Sequence, residues 1–125
     1  MNLEKISREV LAQNKEIALF RDDDIYSIVQ MIVCEASELL EATENAFLTD
    51  DLTSVASEAG DCFYLLIRLF DALGIDERAV EIKKDRNYLK YAGKTSREQA
   101  IKEWKEKGGD KAFFESLLTK DDKSI

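Results

Sequence analysis

Residues 25–45, IYSIVQMIVCEASELLEATEN, decide the fold. Ile25, Ile28, Val29, Ile32, Val33, Ala36, Leu39 and Leu40 recur near the period of an amphipathic helix, and Glu35-x-x-Glu38 sits among them. After a spacer of 19 residues, the stretch 52–73, LTSVASEAGDCFYLLIRLFDAL, repeats the arrangement with Glu58-x-x-Asp61. An i, i+3 pair lies on one side of a helix. Two such pairs on neighbouring antiparallel helices therefore point four carboxylates at one small volume, where they repel one another. A hard divalent cation such as Mg²⁺ removes the conflict, because it takes oxygen ligands and keeps positions for water and substrate phosphates. The expectation is a metal-dependent enzyme acting on a phosphorylated substrate.

Working outward, the same periodicity predicts an all-α chain of four to five helices. Leu3, Ile6, Val10, Leu11, Ile17 and Phe20 mark a first helix that ends around Arg21. Asp22-Asp23-Asp24 caps the second, which runs to about Asn45, and Thr49-Asp50-Asp51 caps the third, which Gly74 ends. Asp76 caps a fourth, through to about Lys90. Tyr91 to Lys94 reads as a loop, Ser96 to Lys107 as a short fifth helix broken by Gly108-Gly109, and Ala112 to Leu118 as a last turn or two. One domain over residues 1–118 is expected, with a polar, fraying tail over residues 119–125. From Cys62 to Leu73 the third helix is apolar almost all round, broken only by Arg68, Asp71 and Tyr64. A helix like that is buried on more than one side. In so short a chain this predicts a homo-oligomer, a homodimer or homotetramer, that completes the core.

Composition narrows the chemistry. Histidine is absent, which removes Ser-His and Cys-His nucleophile pairs and leaves carboxylates, lysines, tyrosines or a metal. The formal net charge of -8 argues against nucleic-acid and lipid-surface partners. Charge is unevenly distributed: Arg21 to Asp61 holds one basic residue against eleven acidic, whereas Arg78 to Lys107 holds ten basic against five acidic. An acidic metal site and a basic phosphate clamp would divide the charge this way, and so would solvated helix faces. Cys34 and Cys62 have no metal-binding spacing and suggest no disulfide framework, so they read as small buried hydrophobes in a reducing cytoplasm. No signal-peptide core and no membrane span is expected.

A Glu-x-x-Glu pair alone carries little weight, since solvated helices hold many. Placement adds to it: acids at the edge of a buried face cost desolvation, and Arg21 and Arg68 are the only basic residues between positions 17 and 77. Glu41 continues the first row by a turn and is a ligand to a second metal ion, a base for the attacking water, or simply exposed; Glu44 reads as surface. Phe63, Tyr64, Tyr91 and Trp104 could stack on a base but fit a core role better.

The chain resembles the MazG-like, all-α nucleoside triphosphate pyrophosphohydrolase superfamily. The resemblance rests on Cys34-Glu35-Ala36-Ser37-Glu38-Leu39, Glu41-Ala42, and Ser57-Glu58-Ala59-Gly60-Asp61-Cys62, with the apolar run that follows, and covers roughly Ile25 to Tyr91. It implies hydrolysis of a nucleoside triphosphate, NTP or dNTP, to the monophosphate and pyrophosphate, with Mg²⁺ or Mn²⁺ held by Glu35, Glu38, Glu58 and Asp61. Glu38 or Glu41 would accept the proton of the attacking water. Lys83-Lys84-Asp85-Arg86-Asn87 with Lys90 is similar to the superfamily's basic segment and would contact substrate phosphates. The role would be nucleotide-pool housekeeping. Alternatives on the same fold are phosphoribosyl-ATP, dUTP or dCTP as substrate; outside it, a non-catalytic helical oligomerisation or regulatory module.

Overall fold

The computed structural model describes residues 2–118, so the tail expected at 119–125 lies outside the described residues. Six α-helices form the described chain, with no strand among them: α1 Leu3–Asn14, α2 Ile25–Thr49, α3 Thr53–Leu73, α4 Arg78–Tyr91, α5 Arg97–Glu106 and α6 Lys111–Glu115. They fall into two compact units, α1 to α3 in one and α4 to α6 in the other. No described helix is long and apolar enough to cross a membrane.

In the first unit, α2 and α3 form an antiparallel hairpin whose ends are fixed by local chemistry. The Asp24 carboxylate accepts from both the backbone N–H and the hydroxyl of Ser27, each at 2.8 Å, and so satisfies a donor that the helix start leaves free. At the other end Asp50 takes the left-handed conformation (φ 57°) that closes the helix four residues beyond the expected Asn45. Asp51 then accepts from the Thr53 N–H at 2.9 Å and starts α3. Gly74, at φ 70°, leaves it.

Ile28, Ala42 and Ala46 of α2 and Leu65 and Ile67 of α3 are buried, together with Val10 of α1, which packs on α3. Burying Ile28 or Leu65 contributes roughly 1.5–3 kcal/mol each, and the two alanines let the helices approach closely. The first helix stops at Asn14, well short of the expected Arg21. After Ile17 enters an extended conformation, a 3₁₀ turn at Ala18–Phe20 follows. The break serves Arg68, whose guanidinium lies 3.7 Å over the Phe20 ring and donates to Asp23 at 2.5 Å. Arg68 was expected to interrupt an apolar surface. It is instead a buried charge, 5% exposed, satisfied by the loop that ends α1.

Two further expectations change. Phe63 and Leu66 of α3 are exposed rather than core, and Cys34 is exposed rather than buried. Tyr26, Val33, Leu40 and Phe47, spaced seven residues apart on α2, are all more than half exposed, with Val29 beside them. Seven residues is nearly two full turns, so these side chains form one stripe. It lies opposite the side that carries Ile28 and Ala42.

The second unit is organised around one carboxylate. Asp110 accepts from Lys83 Nζ at 2.6 Å, Arg86 Nε at 3.0 Å and Trp104 Nε1 at 3.1 Å. Gly109, at φ 62°, turns the chain so that its carbonyl accepts from Arg86 Nη2. Arg86 in turn lies 3.7 Å over the Phe113 ring and 4.4 Å over that of Trp104. Ser96 caps α5 by accepting from the Gln99 N–H.

Candidate active site

Helix periodicity places Glu35 on the α3-facing side of α2, seven residues after buried Ile28. Glu58 lies seven residues before buried Leu65 and so shares its side of α3. One carboxylate oxygen from each of Glu35, Glu38 and Glu58 lies within 4.8 Å of the other two. The Oε2 atoms of Glu35 and Glu58 are buried and have no hydrogen-bond partner among the described residues. A buried carboxylate oxygen without a donor is costly. Proton sharing with Glu38 comes first among the causes that push the Glu35 carboxyl up to about 7, followed by burial, the negative charge of Glu38, proton sharing with Glu58 and the charge of Asp61.

Asp61, the fourth expected ligand, is exposed and stands outside the trio, although its charge reaches Glu35. Repulsion among four anions favours leaving one in water. Glu41 is exposed a turn beyond Glu38 and belongs to no such cluster among the described residues. Glu44 is exposed as expected. Burial and then the charges of Glu35, Glu58 and Asp61 push the Cys62 thiol up, which suppresses its nucleophilic thiolate and fits the absence of any chemistry assigned to it.

The donor set suits a hard cation. Three carboxylates converge with no lysine or arginine paired to them among the described residues, and a divalent ion would give both orphaned oxygens a partner.

The basic segment lies on α4. Lys83 and Arg86 are engaged with Asp110, Lys84 pairs with its neighbour Asp85 at 3.5 Å, Lys90 sits 5.0 Å over the Tyr91 ring, and Asn87 is exposed. Sequence reasoning missed the Asp110 hub. A single aspartate after Gly108-Gly109 reads as a turn residue, and no periodicity links it to α4 or to Trp104. It also missed Arg68–Asp23, although a lone arginine in an apolar run was a signal that a partner acid must exist elsewhere.

A helical hairpin that presents Glu-x-x-Glu from one arm and Glu-x-x-Asp from the other is the arrangement of the MazG-like all-α pyrophosphohydrolase superfamily. Within it, residues 4–87, well over half of the chain, match the phosphoribosyl-ATP pyrophosphohydrolase family, and the chain belongs to that family. It is a family of hydrolases acting on acid anhydrides. No similar curated protein and no similar solved structure was found.

Proposed function

We propose that this protein hydrolyses phosphoribosyl-ATP to phosphoribosyl-AMP and pyrophosphate, using Glu35, Glu38, Glu58 and Asp61 to hold Mg²⁺ or Mn²⁺. The observation that carries the reading is the convergence of three carboxylates, two with orphaned buried oxygens, inside the segment that matches the family. When bound, the metal supplies charge neutralisation at the phosphates and a more acidic water. The α–β phosphoanhydride P–O bond breaks, the water oxygen ends on the α-phosphorus, and pyrophosphate leaves. Glu38, exposed beside the half-buried Glu35 and Glu58, or Glu41 takes the water's proton. Substrate contacts from Lys83, Lys84, Arg86, Asn87 and Lys90 belong to this proposal on the sequence resemblance alone, and Lys83 and Arg86 would have to leave Asp110 to make them.

A second reading keeps the carboxylates and takes ordinary nucleoside or deoxynucleoside triphosphates as substrate, in nucleotide-pool housekeeping. The family match favours the phosphoribosyl substrate. The outward stripe on α2 supports a homo-oligomer, a second copy covering Val33, Leu40 and Phe47.

The test is a pyrophosphate-release assay with Mg²⁺ or Mn²⁺ over phosphoribosyl-ATP and the common nucleotides. Phosphoribosyl-ATP is expected to turn over best, and Glu38→Gln to lower kcat by about 100-fold or more with helicity retained. Release of orthophosphate would sink the bond assignment. A folded protein with no metal-dependent turnover of any triphosphate would leave the non-catalytic helical module standing.

A further inference from the structure

A cavity of about 510 Å³ opens in the first unit between the end of α1, the 3₁₀ turn and the α2–α3 hairpin, lined by Asn14, Lys15, Arg21, Asp23, Arg68 and Asp71 among others. It lies in line with the carboxylates. Ile28 and Glu35 are seven residues apart on α2, as are Asp61 and Arg68 on α3, so each pair shares a helix side and is separated by about 10 Å along the axis. The cavity is thus the continuation, two turns on, of the side that carries the acids.

Its chemistry differs from theirs. Arg68 is nine-tenths buried, yet only one of its N–H groups has a protein partner among the described residues: Nη2 donates to Asp23. A guanidinium has five such donors. Stacking on Phe20 and pairing with Asp23 fix its plane, so the directions of the remaining donors are fixed too. Lys15 and Arg21, both exposed, add two cations at the rim, neither of them ion-paired among the described residues. Against these three cations stand Asp23, already spent on Arg68, and the exposed Asp71. Asn14 accepts from the Tyr64 hydroxyl at 2.8 Å through Oδ1, which leaves its amide N–H groups available.

We infer that this cavity receives the phosphoribosyl end of the substrate, with Lys15, Arg21 and Arg68 taking its terminal phosphate and Asp71 and Asn14 its ribose hydroxyls. The inference rests on the proposed substrate. Phosphoribosyl-ATP differs from ATP in carrying a second anionic end, a ribose 5-phosphate joined to the base, remote from the triphosphate. A protein that selects it over ATP needs a cationic, hydroxyl-accepting pocket at a distance from its metal-binding acids. A cavity of this size accommodates a sugar phosphate, and its mixture of cations with a carboxylate suits a ligand that has both a phosphate and hydroxyls.

The experiment compares wild type with Lys15→Ala/Arg21→Ala, whose two exposed side chains are dispensable for packing. Steady-state kinetics with phosphoribosyl-ATP and with ATP give the ratio of the two kcat/KM values, and titration of metal-free protein with ribose 5-phosphate, ribose as control, gives binding independently of turnover. The double variant is expected to lower the ratio by about tenfold to hundredfold, the loss of one or two charge-assisted contacts, through KM for phosphoribosyl-ATP, and to lose ribose 5-phosphate binding. An unchanged ratio, or an equal loss on both substrates, overturns the assignment. If wild type does not hydrolyse phosphoribosyl-ATP at all, the substrate proposal fails instead. The pocket is then decided by ribose 5-phosphate: binding lost in the double variant supports a sugar-phosphate site, and no binding to wild type overturns it.

Discussion

Glu35 and Glu58 face each other from the two arms of one helical hairpin, each with a buried oxygen that no donor reaches among the described residues. The fold holds this repulsive contact in place. With its carboxyl raised from an ordinary 4.5 to about 7, Glu35 keeps a proton in the folded state over a range where the unfolded chain has lost it. A group shifted in this direction makes folding less favourable as pH rises through that window. In chelator, thermal unfolding is therefore expected at lower temperature at about pH 8 than at about pH 5, with a smaller drop for Glu35→Gln. Because a cation competes with the proton for the same oxygens, Mg²⁺ should raise the wild-type Tm more at the higher pH. Equal stabilisation by Mg²⁺ at both pH values would falsify the carboxylate assignment.

Asp110 shows the opposite shift. Burial pushes its carboxyl up, but hydrogen bonds from Lys83, Arg86 and Trp104 outweigh that and hold it at about 2, below the ordinary 3.8. Its contribution to stability is thus fully present above 3.8 and is lost as pH falls towards 2. Asp110→Asn is expected to cost about 2 kcal/mol at neutral pH, since charge-assisted hydrogen bonds are lost while Arg86 stays half-buried. It should also flatten the acid limb below pH 3.8. Trp104, the only tryptophan of the chain, contacts Asp110 and reports the transition by fluorescence in urea. A variant as stable as wild type at neutral pH would mean that the hub is not held in solution.

The helices that carry the acids were legible because the apolar period of α2 and α3 and their caps are local signals. Asp24 and Asp51 accept from the first-turn N–H groups where the sequence suggests capping. Local signals could not reveal the break after Asn14, which depends on Phe20 and Asp23 meeting an arginine more than 40 residues away. Nor could periodicity say what covers an apolar residue. Leu40 belonged to the same counted stripe as Ile28, yet one is exposed and the other buried, because α2 is apolar on two sides and α3 covers only one. At the candidate site the spacing anticipated Glu35, Glu38 and Glu58 together. It could not distinguish Asp61, whose exposure depends on how the trio distributes its charge.

The outer stripe gives a prediction about assembly. Leu40→Glu/Phe47→Glu places charges on side chains that are 60% and 84% exposed in the single chain, so the hairpin itself loses no buried contact. If a second copy covers them, two buried carboxylates per chain are prohibitive there. Light scattering at micromolar concentration should then show an oligomer for wild type and a monomer for the variant, with the same circular dichroism. A monomeric wild type would end the argument.

Gly60 lies inside α3 one residue before Asp61, and a Cβ built there meets nothing within 4 Å. Glycine in an exposed helix interior is less favourable than alanine by about 1 kcal/mol, so Gly60→Ala should stabilise the metal-free protein by about that amount, or roughly 4 °C in Tm. No carboxylate is displaced by the methyl group, and Mg²⁺ affinity should stay at the wild-type value. A lower Tm would mean that the space beside Gly60 is filled in solution. A second copy packed on α3 would fill it, and repeating the measurement in the Leu40→Glu/Phe47→Glu background would then restore the gain.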